Sequence, residues 1–383
     1  MAKNSYLKYI LILLFFILFI LFAIPKKEEI KEIKFGASLP LGGINQNLGE
    51  EVVVGVKAYF NHINAKGGIK GKKIKFIYYD DKYEPEITIT NTNKLLKEDR
   101  VFSLFSFVGT PTVKKILPLV EDTDIPFIAP YTGAKFLRDT HLKNIVNFRS
   151  SYEDEIDTIV EYLVKKRGFS RFSIFYQNDD YGKEGYIALI KALKKRGLSL
   201  NSEGTYKRNT LFIKQAIYDI KSKKPQAIIL VGAYKPTARF IKKAKECCFD
   251  DVIFTPISFV NSDVLMEELN HDGKNIIFSQ TVPSYEDNSK IANEYKKILK
   301  FYYPEKSPTF ASYEAFLSAK CVAKALKKSD KIDKENFLNQ IKHLKPSDLG
   351  GLEIGYKNSQ LLNQTYLFKY EKNRFKMIYK REK

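Results

Sequence analysis

Cysteine and histidine are scarce in this chain, and what little there is falls in no useful pattern. Its 383 residues include three cysteines, Cys247, Cys248 and Cys321. Adjacent cysteines rarely bridge each other and no pairing with Cys321 can be inferred, so a disulfide framework is excluded and buried free thiols are expected. The four histidines, His62, His141, His271 and His343, are isolated and share no ligand spacing, which excludes a recognisable metal site. There is no Gly-x-Ser-x-Gly elbow and no histidine poised beside a candidate serine or cysteine. Residues 66–73 are rich in lysine and glycine but lack the glycine spacing of a phosphate loop and its Ser/Thr after the lysine, and they precede a strand rather than a helix. No enzyme and no cofactor is expected. Long Pro/Gly/Ser-rich or repetitive segments are also missing, so the chain reads as globular.

Acidic residues are outnumbered, 44 against 64 basic ones, for a formal charge of +20. The lysines are scattered over solvent faces, as at Lys191, Lys194 and Lys195, with no basic arm and no aromatic-rich basic motif, so nucleic acid is not an expected partner. The length suits two domains of ordinary size, and 44% hydrophobic with 14% aromatic residues is enough for packed cores. Residues 9–25 form an apolar run between Lys3 and Lys8 on one side and Lys26 and Lys27 on the other. Its length lies between a signal-peptide core and the roughly 20 residues of a spanning helix. Leu21-Phe22-Ala23 is a poor cleavage site, so a removed signal peptide, an uncleaved anchor that holds the protein to the membrane and a buried helix all stay open. No cysteine near its end could carry a lipid.

Beyond that run, short apolar strands alternate with helices of 3.6-residue period. An apolar stripe through Val52, Val53, Val56, Tyr59, Phe60 and Ile63 marks one helix, and Gly67-Gly68 supplies the positive φ that its C-terminus wants. Helices are expected at 84–98, 111–121, 153–166, 183–196, 211–222 and 236–246. The strands among them fall at 73–79, 101–106, 126–129, 145–149, 172–176, 200–206 and 227–231. Strands that are apolar on both faces and separated by helices belong to parallel sheets covered on both sides, which makes the class α/β and doubly wound. After a strand at 276–280 come helices near 288–302, 309–327 and 333–343 and a closing hairpin at 364–379.

The motif INAKGGIKGKKIKFIYYDD at 63–81, preceded by IKFGASLPLGG at 33–43, resembles the leucine/isoleucine/valine-binding proteins, type I periplasmic binding proteins that feed ABC transporters. The likeness runs from about residue 33 to 379. It implies two hinged lobes with a ligand cleft between them and three chain crossings, near 149–150, 282–283 and 346–348. Residues 1–26 would be the export segment, 32–149 with 283–346 the first lobe, and 150–282 with 347–383 the second. The implied function is a solute-binding protein outside the cytoplasm, periplasmic or anchored to the membrane, that closes on a small ligand and delivers it to an ABC transporter permease. The alternative is a membrane-anchored ligand-sensing receptor or regulator on the same fold.

In open parallel sheets ligands bind outside the carboxyl ends of the strands, where helix N-termini present unpaired N–H groups. Gly109-Thr110-Pro111-Thr112 opens a helix there, with Thr110 suited to N-cap and Pro111 to N1. Thr-Pro can simply cap a helix; the resemblance adds that a hydroxyl residue at this place binds the ligand's carboxylate. The loop after the strand at 126–129 matches the family's turn around the ligand's amino and carboxylate groups, with Thr132 favoured over Gly133 for the hydroxyl and Tyr131 at a position usually small. From the second lobe, Tyr181 and Tyr234 fall on family positions that face the cleft, where a phenol offers apolar surface and one polar handle. Ser258 completes the expected site. The family's amino-acid binders carry an acidic residue in that last loop, but residues 254–259 hold no carboxylate. A buried ammonium without a counter-charge is costly, so Asp179, Asp180 or Glu153 would have to substitute, or the ligand is an amide, a short carboxylic acid or an aromatic acid.

Overall fold

The computed structural model describes residues 32–139 and 141–381; the apolar run at 9–25 lies outside the described residues. Among those described, no helix is long and apolar enough to cross a membrane. Strand β1 (Glu32–Leu39) lies between β2 (Lys73–Asp80) and β3 (Ser103–Phe105), and β4 (Phe127–Ile128) and β5 (Ile145–Val146) complete a parallel sheet in the order β2-β1-β3-β4-β5. Helices α1 (Gln46–Ala65), α2 (Pro85–Lys97) and α3 (Thr110–Glu121) make the crossovers. Of the stripe read from the sequence, α1 buries Val52, Val56, Tyr59, Phe60 and Ile63, while Val53 is half-buried. Its end is set by glycine. Gly67 and Gly68 take φ of 91° and 76°, Gly68 N–H donates to the Ile63 carbonyl at 3.0 Å, and a Cβ on Gly68 would lie 2.2 Å from the Lys72 carbonyl oxygen.

The second lobe starts with α4 (Tyr152–Arg167) and holds β6 (Phe172–Gln177), β7 (Leu200–Tyr206), β8 (Ala227–Val231) and β9 (Ile253–Pro256) in the parallel order β7-β6-β8-β9. Its crossovers are α5 (Asp180–Lys194), α6 (Lys214–Lys221) and α7 (Tyr234–Cys247). Strand β8, buried at all five positions, is the continuous apolar strand that a covered parallel sheet requires. A short helix absent from the sequence reading, α8 (Ser262–Glu268), follows Asn261, which sits at φ 65° with no side-chain cap bond. Seven residues make too few turns for periodicity to reveal it.

Strand β10 (Phe278–Gln280) lies beside β9 through a Phe254–Ile276 bridge and pairs antiparallel with β11 (Tyr366–Glu371), which pairs in turn with β12 (Arg374–Lys380). Between β10 and β11 the chain returns to the first lobe as α9 (Lys290–Tyr302), α10 (Phe310–Lys328) and α11 (Lys334–Lys342). Phe316 of α10 meets Tyr59 edge-on at 5.0 Å, and Phe337 of α11 meets Phe35 at 6.0 Å.

Connections between the lobes lie side by side. Leu361 N–H and Leu362 N–H donate to the carbonyls of Asn147 and Phe148 at 3.0 and 2.8 Å, and Ser150 Oγ donates to the Gln364 carbonyl at 2.6 Å. Residues up to 362 are therefore still bonded beside β5, and only beyond them does the chain join the second sheet. We propose lobe limits of 32–149 with 283–362 and 150–282 with 363–381, which moves the third crossing from 346–348 to about residue 363. One other expectation changes outright. Cys247 and Cys248 are joined as a vicinal pair where free thiols were anticipated, at the point where α7 ends and Cys248 takes an extended φ of −177°. Cys321 is free and buried in α10.

Candidate functional site

The mouths of both parallel sheets face each other, and the residues expected there are enclosed: Thr110, Tyr131, Thr132, Tyr181, Tyr234 and Ser258 are between 0% and 4% exposed. From the first lobe come two hydroxyls in contact, Thr110 Oγ1 and Thr132 Oγ1, 2.7 Å apart. Thr132 Oγ1 also accepts from Ala134 N–H at 3.2 Å and lies 3.3 Å from the Tyr152 hydroxyl. Thr110 is not the N-cap. Gly109 takes that place at φ 108°, Thr110 is the first helical residue, and no side chain caps the helix. The reason is crowding: a Cβ on Gly109 would lie 2.3 Å from Cε2 of Tyr83, so only glycine fits, and Thr110 is freed to turn its hydroxyl toward Thr132.

The loop after β4 is held by its backbone. Tyr131 N–H donates to the Phe107 carbonyl at 2.7 Å, Gly109 N–H returns to the Tyr131 carbonyl at 3.3 Å, and Tyr152 N–H donates to the Gly133 carbonyl at 2.9 Å. Tyr131 does more than contribute backbone. Its ring carries the Arg149 guanidinium 4.0 Å from its centroid, a cation–π contact removed from water.

The second lobe supplies aromatic surface. Tyr181, whose N–H is capped by the Asp179 carboxylate at 3.0 Å, packs its ring 4.6 Å from Phe259 and 5.6 Å from Tyr152. Phe259 in turn lies 6.1 Å from Tyr131 and 6.3 Å from Tyr83, so one ring of the second lobe touches both tyrosines of the first. Burial raises the hydroxyl pKa values of Tyr83, Tyr131 and Tyr181, which stay neutral at physiological pH. Tyr234 stands apart. It opens α7 beside Asn47 and Glu268, and its hydroxyl is pushed up to about 12, first by burial and then by Glu268.

Two charged assemblies underlie the aromatic rings. Arg149 Nε and Nη2 donate to Glu314 Oε1 and Oε2 at 2.8 and 2.9 Å, a bidentate pair in the interior. Thr281 Oγ1 also donates to Glu314, at 3.0 Å. Beside them Glu155, fully buried, accepts from Ser258 N–H at 2.8 Å, Ser258 Oγ at 2.9 Å and Ser279 Oγ at 2.5 Å. Both donors of Ser258 are thus spent on Glu155. The three acids considered as substitutes for the missing carboxylate are engaged elsewhere: Asp179 with Tyr181, Gln177 and Arg208, Asp180 with Lys114, and Glu153 with Lys191.

Sequence reasoning passed over Tyr83, Tyr152 and Glu155. A usable signal existed for the last two. Ser151 and Asp154 form a reciprocal capping box at the start of α4, which puts Tyr152 and Glu155, three residues apart, on one helix face. Nothing comparable marks Tyr83, whose ring is aimed by a φ of 62°.

A family model described as periplasmic binding protein matches residues 32–374. A Leu/Ile/Val-binding protein homolog of Brucella abortus is 23% identical over 223 residues, 56% of this chain and 56% of that protein; the match thus spans about half the length of that relative. A solved structure from Rhodopirellula baltica, titled a possible leucine/isoleucine/valine-binding protein, is 28% identical with a TM-score of 0.86 over 93% of this chain and 98% of that one. A fatty acid ABC transporter substrate-binding protein from Thermomonospora curvata shares the fold at 18% identity, with a TM-score of 0.80 over 91% of each chain. Two parallel-sheet lobes, an enclosed wall of hydroxyls and aromatics between them and the family match across nearly all described residues agree: the chain belongs to the periplasmic binding protein family, with the type I fold.

Proposed function

We propose that this protein is the solute-binding component of an ABC transporter outside the cytoplasm, closing its lobes on a small solute that carries a carboxylate. The observation that supports this most is the Thr110–Thr132 hydroxyl pair at the N-terminus of α3, where backbone N–H groups and the helix dipole favour an anion. Tyr131, Tyr181 and Phe259 offer apolar surface for the rest of such a molecule. The two relatives named for leucine, isoleucine and valine point the same way, because all three of those amino acids carry a carboxylate. Binding energy is spent on closure rather than on a reaction, and the closed form is what a permease would read.

Thermal-shift screening of the purified full chain against amino acids, amides and short carboxylic acids tests the reading. Carboxylates should stabilise the protein and the corresponding primary amides should not, and Thr110→Val should weaken the hit. Stabilisation by amides alone, or a hit that binds Thr110→Val undiminished, would discard the assignment.

A further inference from the structure

The end of the first lobe that faces away from the cleft carries a partly apolar groove. Strands β1 and β2 start at that end, with Glu32 opposite Lys73. Helix α1 finishes there: Asn64, next to its last residue, donates to the Ile74 carbonyl at 2.7 Å and accepts from Ile74 N–H at 2.8 Å. Between the last turn of α1 and the second half of α9 lies a groove of about 530 Å³, lined by Ala65, Lys66, Lys297, Ile298, Phe301 and Tyr302. Phe301 is 77% exposed and meets Tyr302 edge-on at 4.8 Å.

A lone exposed aromatic needs no explanation, but this one stands among charges of one sign. Lys66 and Lys297 in the groove and Lys300, just before Phe301, are exposed and form no ion pair among the described residues. The acid in the groove, Glu294, is taken by Lys320. The chain also enters the lobe here: residues 26–31 link the apolar run at 9–25 to Glu32, a reach of at most roughly 20 Å.

We infer that this end of the first lobe is a docking surface for an anionic phospholipid bilayer, with Phe301 and Tyr302 entering the headgroup region and Lys66, Lys297 and Lys300 meeting the phosphates. Aromatic rings favour that depth, and lysines lay their stems on apolar surface while the ammonium groups stay among the headgroups. The formal charge of +20 adds attraction at longer range. A protein so placed keeps the mouth of its cleft, at the other end of the strands, open to solution. A retained apolar run would bring this same end to the bilayer; without it, the rings and lysines make a weak, reversible contact that lets the mouth turn to a permease. What the cleft binds has no bearing on this contact.

The chain contains no tryptophan, so in the full chain Phe301→Trp places a sole fluorophore in the groove. Phe212→Trp, at an 81% exposed position in the second lobe, is the matched control. With vesicles of phosphatidylglycerol and phosphatidylcholine in equal parts, emission from Phe301→Trp should shift to the blue and lose roughly half its intensity or more to brominated acyl chains, while Phe212→Trp keeps its spectrum. Adding Lys66→Gln and Lys297→Gln to Phe301→Trp should cut that quenching about twofold or more, and vesicles of phosphatidylcholine alone should give little of it. No shift at position 301, equal quenching at both positions, or equal quenching by neutral vesicles overturns the inference. So does a blue-shifted Phe301→Trp without vesicles, which would mean that a second copy or the chain's own apolar run fills the groove; dilution tells these two apart. Should Phe301→Trp fail to fold, Tyr302→Trp reports on the same groove with the same outcomes.

Discussion

Two arginines near the cleft sit in opposite surroundings. Arg149, at the first crossing between the lobes, has a side chain with no exposure and pairs with Glu314 at 5% exposure. Arg208, just past β7, is 26% exposed and joins Asp179 of its own lobe to Glu84 of the other at 3.2 and 3.0 Å. Breaking a desolvated bidentate pair strands a charge where water cannot reach it, whereas the partners of a wet pair rehydrate. The hinge wall is thereby held in one arrangement, and the rim is free to open and reform. That division suits a clamshell, which needs a rigid floor and a mouth that costs little to release.

The contrast can be broken most severely at the floor. Glu314→Ala should destabilise the protein by about 3–5 kcal/mol, read from the urea midpoint, because Arg149 is left buried and unpaired. Joint replacement by Arg149→Met and Glu314→Leu should cost clearly less than that single change; if the double variant is worse, the pair is not what matters.

A second buried acid sharpens the comparison through pH. Asp263 in α8 accepts from Tyr285 Oη at 2.6 Å and from Phe310 N–H at 2.8 Å, and burial raises its carboxyl to about 7. Between its ordinary value near 4 and 7 the folded state holds a proton that the unfolded chain has lost. Its contribution to stability should therefore be greatest below pH 4 and be lost as pH rises toward 7, by on the order of a few kcal/mol. Thermal melts of Asp263→Asn should be flatter over that window, and an identical slope in both proteins would remove Asp263 as the cause.

At the site itself, Thr110→Val takes one hydroxyl from the pair and should weaken a bound carboxylate by about 1 kcal/mol or somewhat more, with the urea midpoint nearly unchanged. The smallest effect is expected at the rim. Arg208→Ala should change ligand affinity by less than about 1 kcal/mol at low salt, and titration in high salt should erase even that, because exposed pairs are screened.

Periodicity located element interiors and lost their ends. Strand β8 spans Ala227–Val231, as expected, but α5 starts at Asp180 and α7 at Tyr234, earlier than the apolar stripes suggested, because a first turn that faces the cleft carries no stripe. That shift bears directly on the site: Tyr181 and Tyr234 are first-turn residues and not loop residues. Glu155 was legible only as one acid among several on α4. Its neighbours Ser258 and Ser279 lie 103 and 124 residues away, so no local pattern could have distinguished it from Glu153, which faces solvent and meets Lys191.

By itself the sequence determined the alternation of apolar strands and amphipathic helices, the glycine stop after α1 and the small polar residues at the strand ends, since each follows from dihedral preference and burial within a few residues of chain. Tertiary structure alone decided which buried acids have partners, how Gly109 and Tyr83 together free the Thr110 hydroxyl, and where the chain makes its last crossing beside Asn147 and Phe148. Those outcomes depend on distances between segments far apart in the chain, and desolvation, which sets the energy of every charge in the cleft, exists only once the lobes have come together.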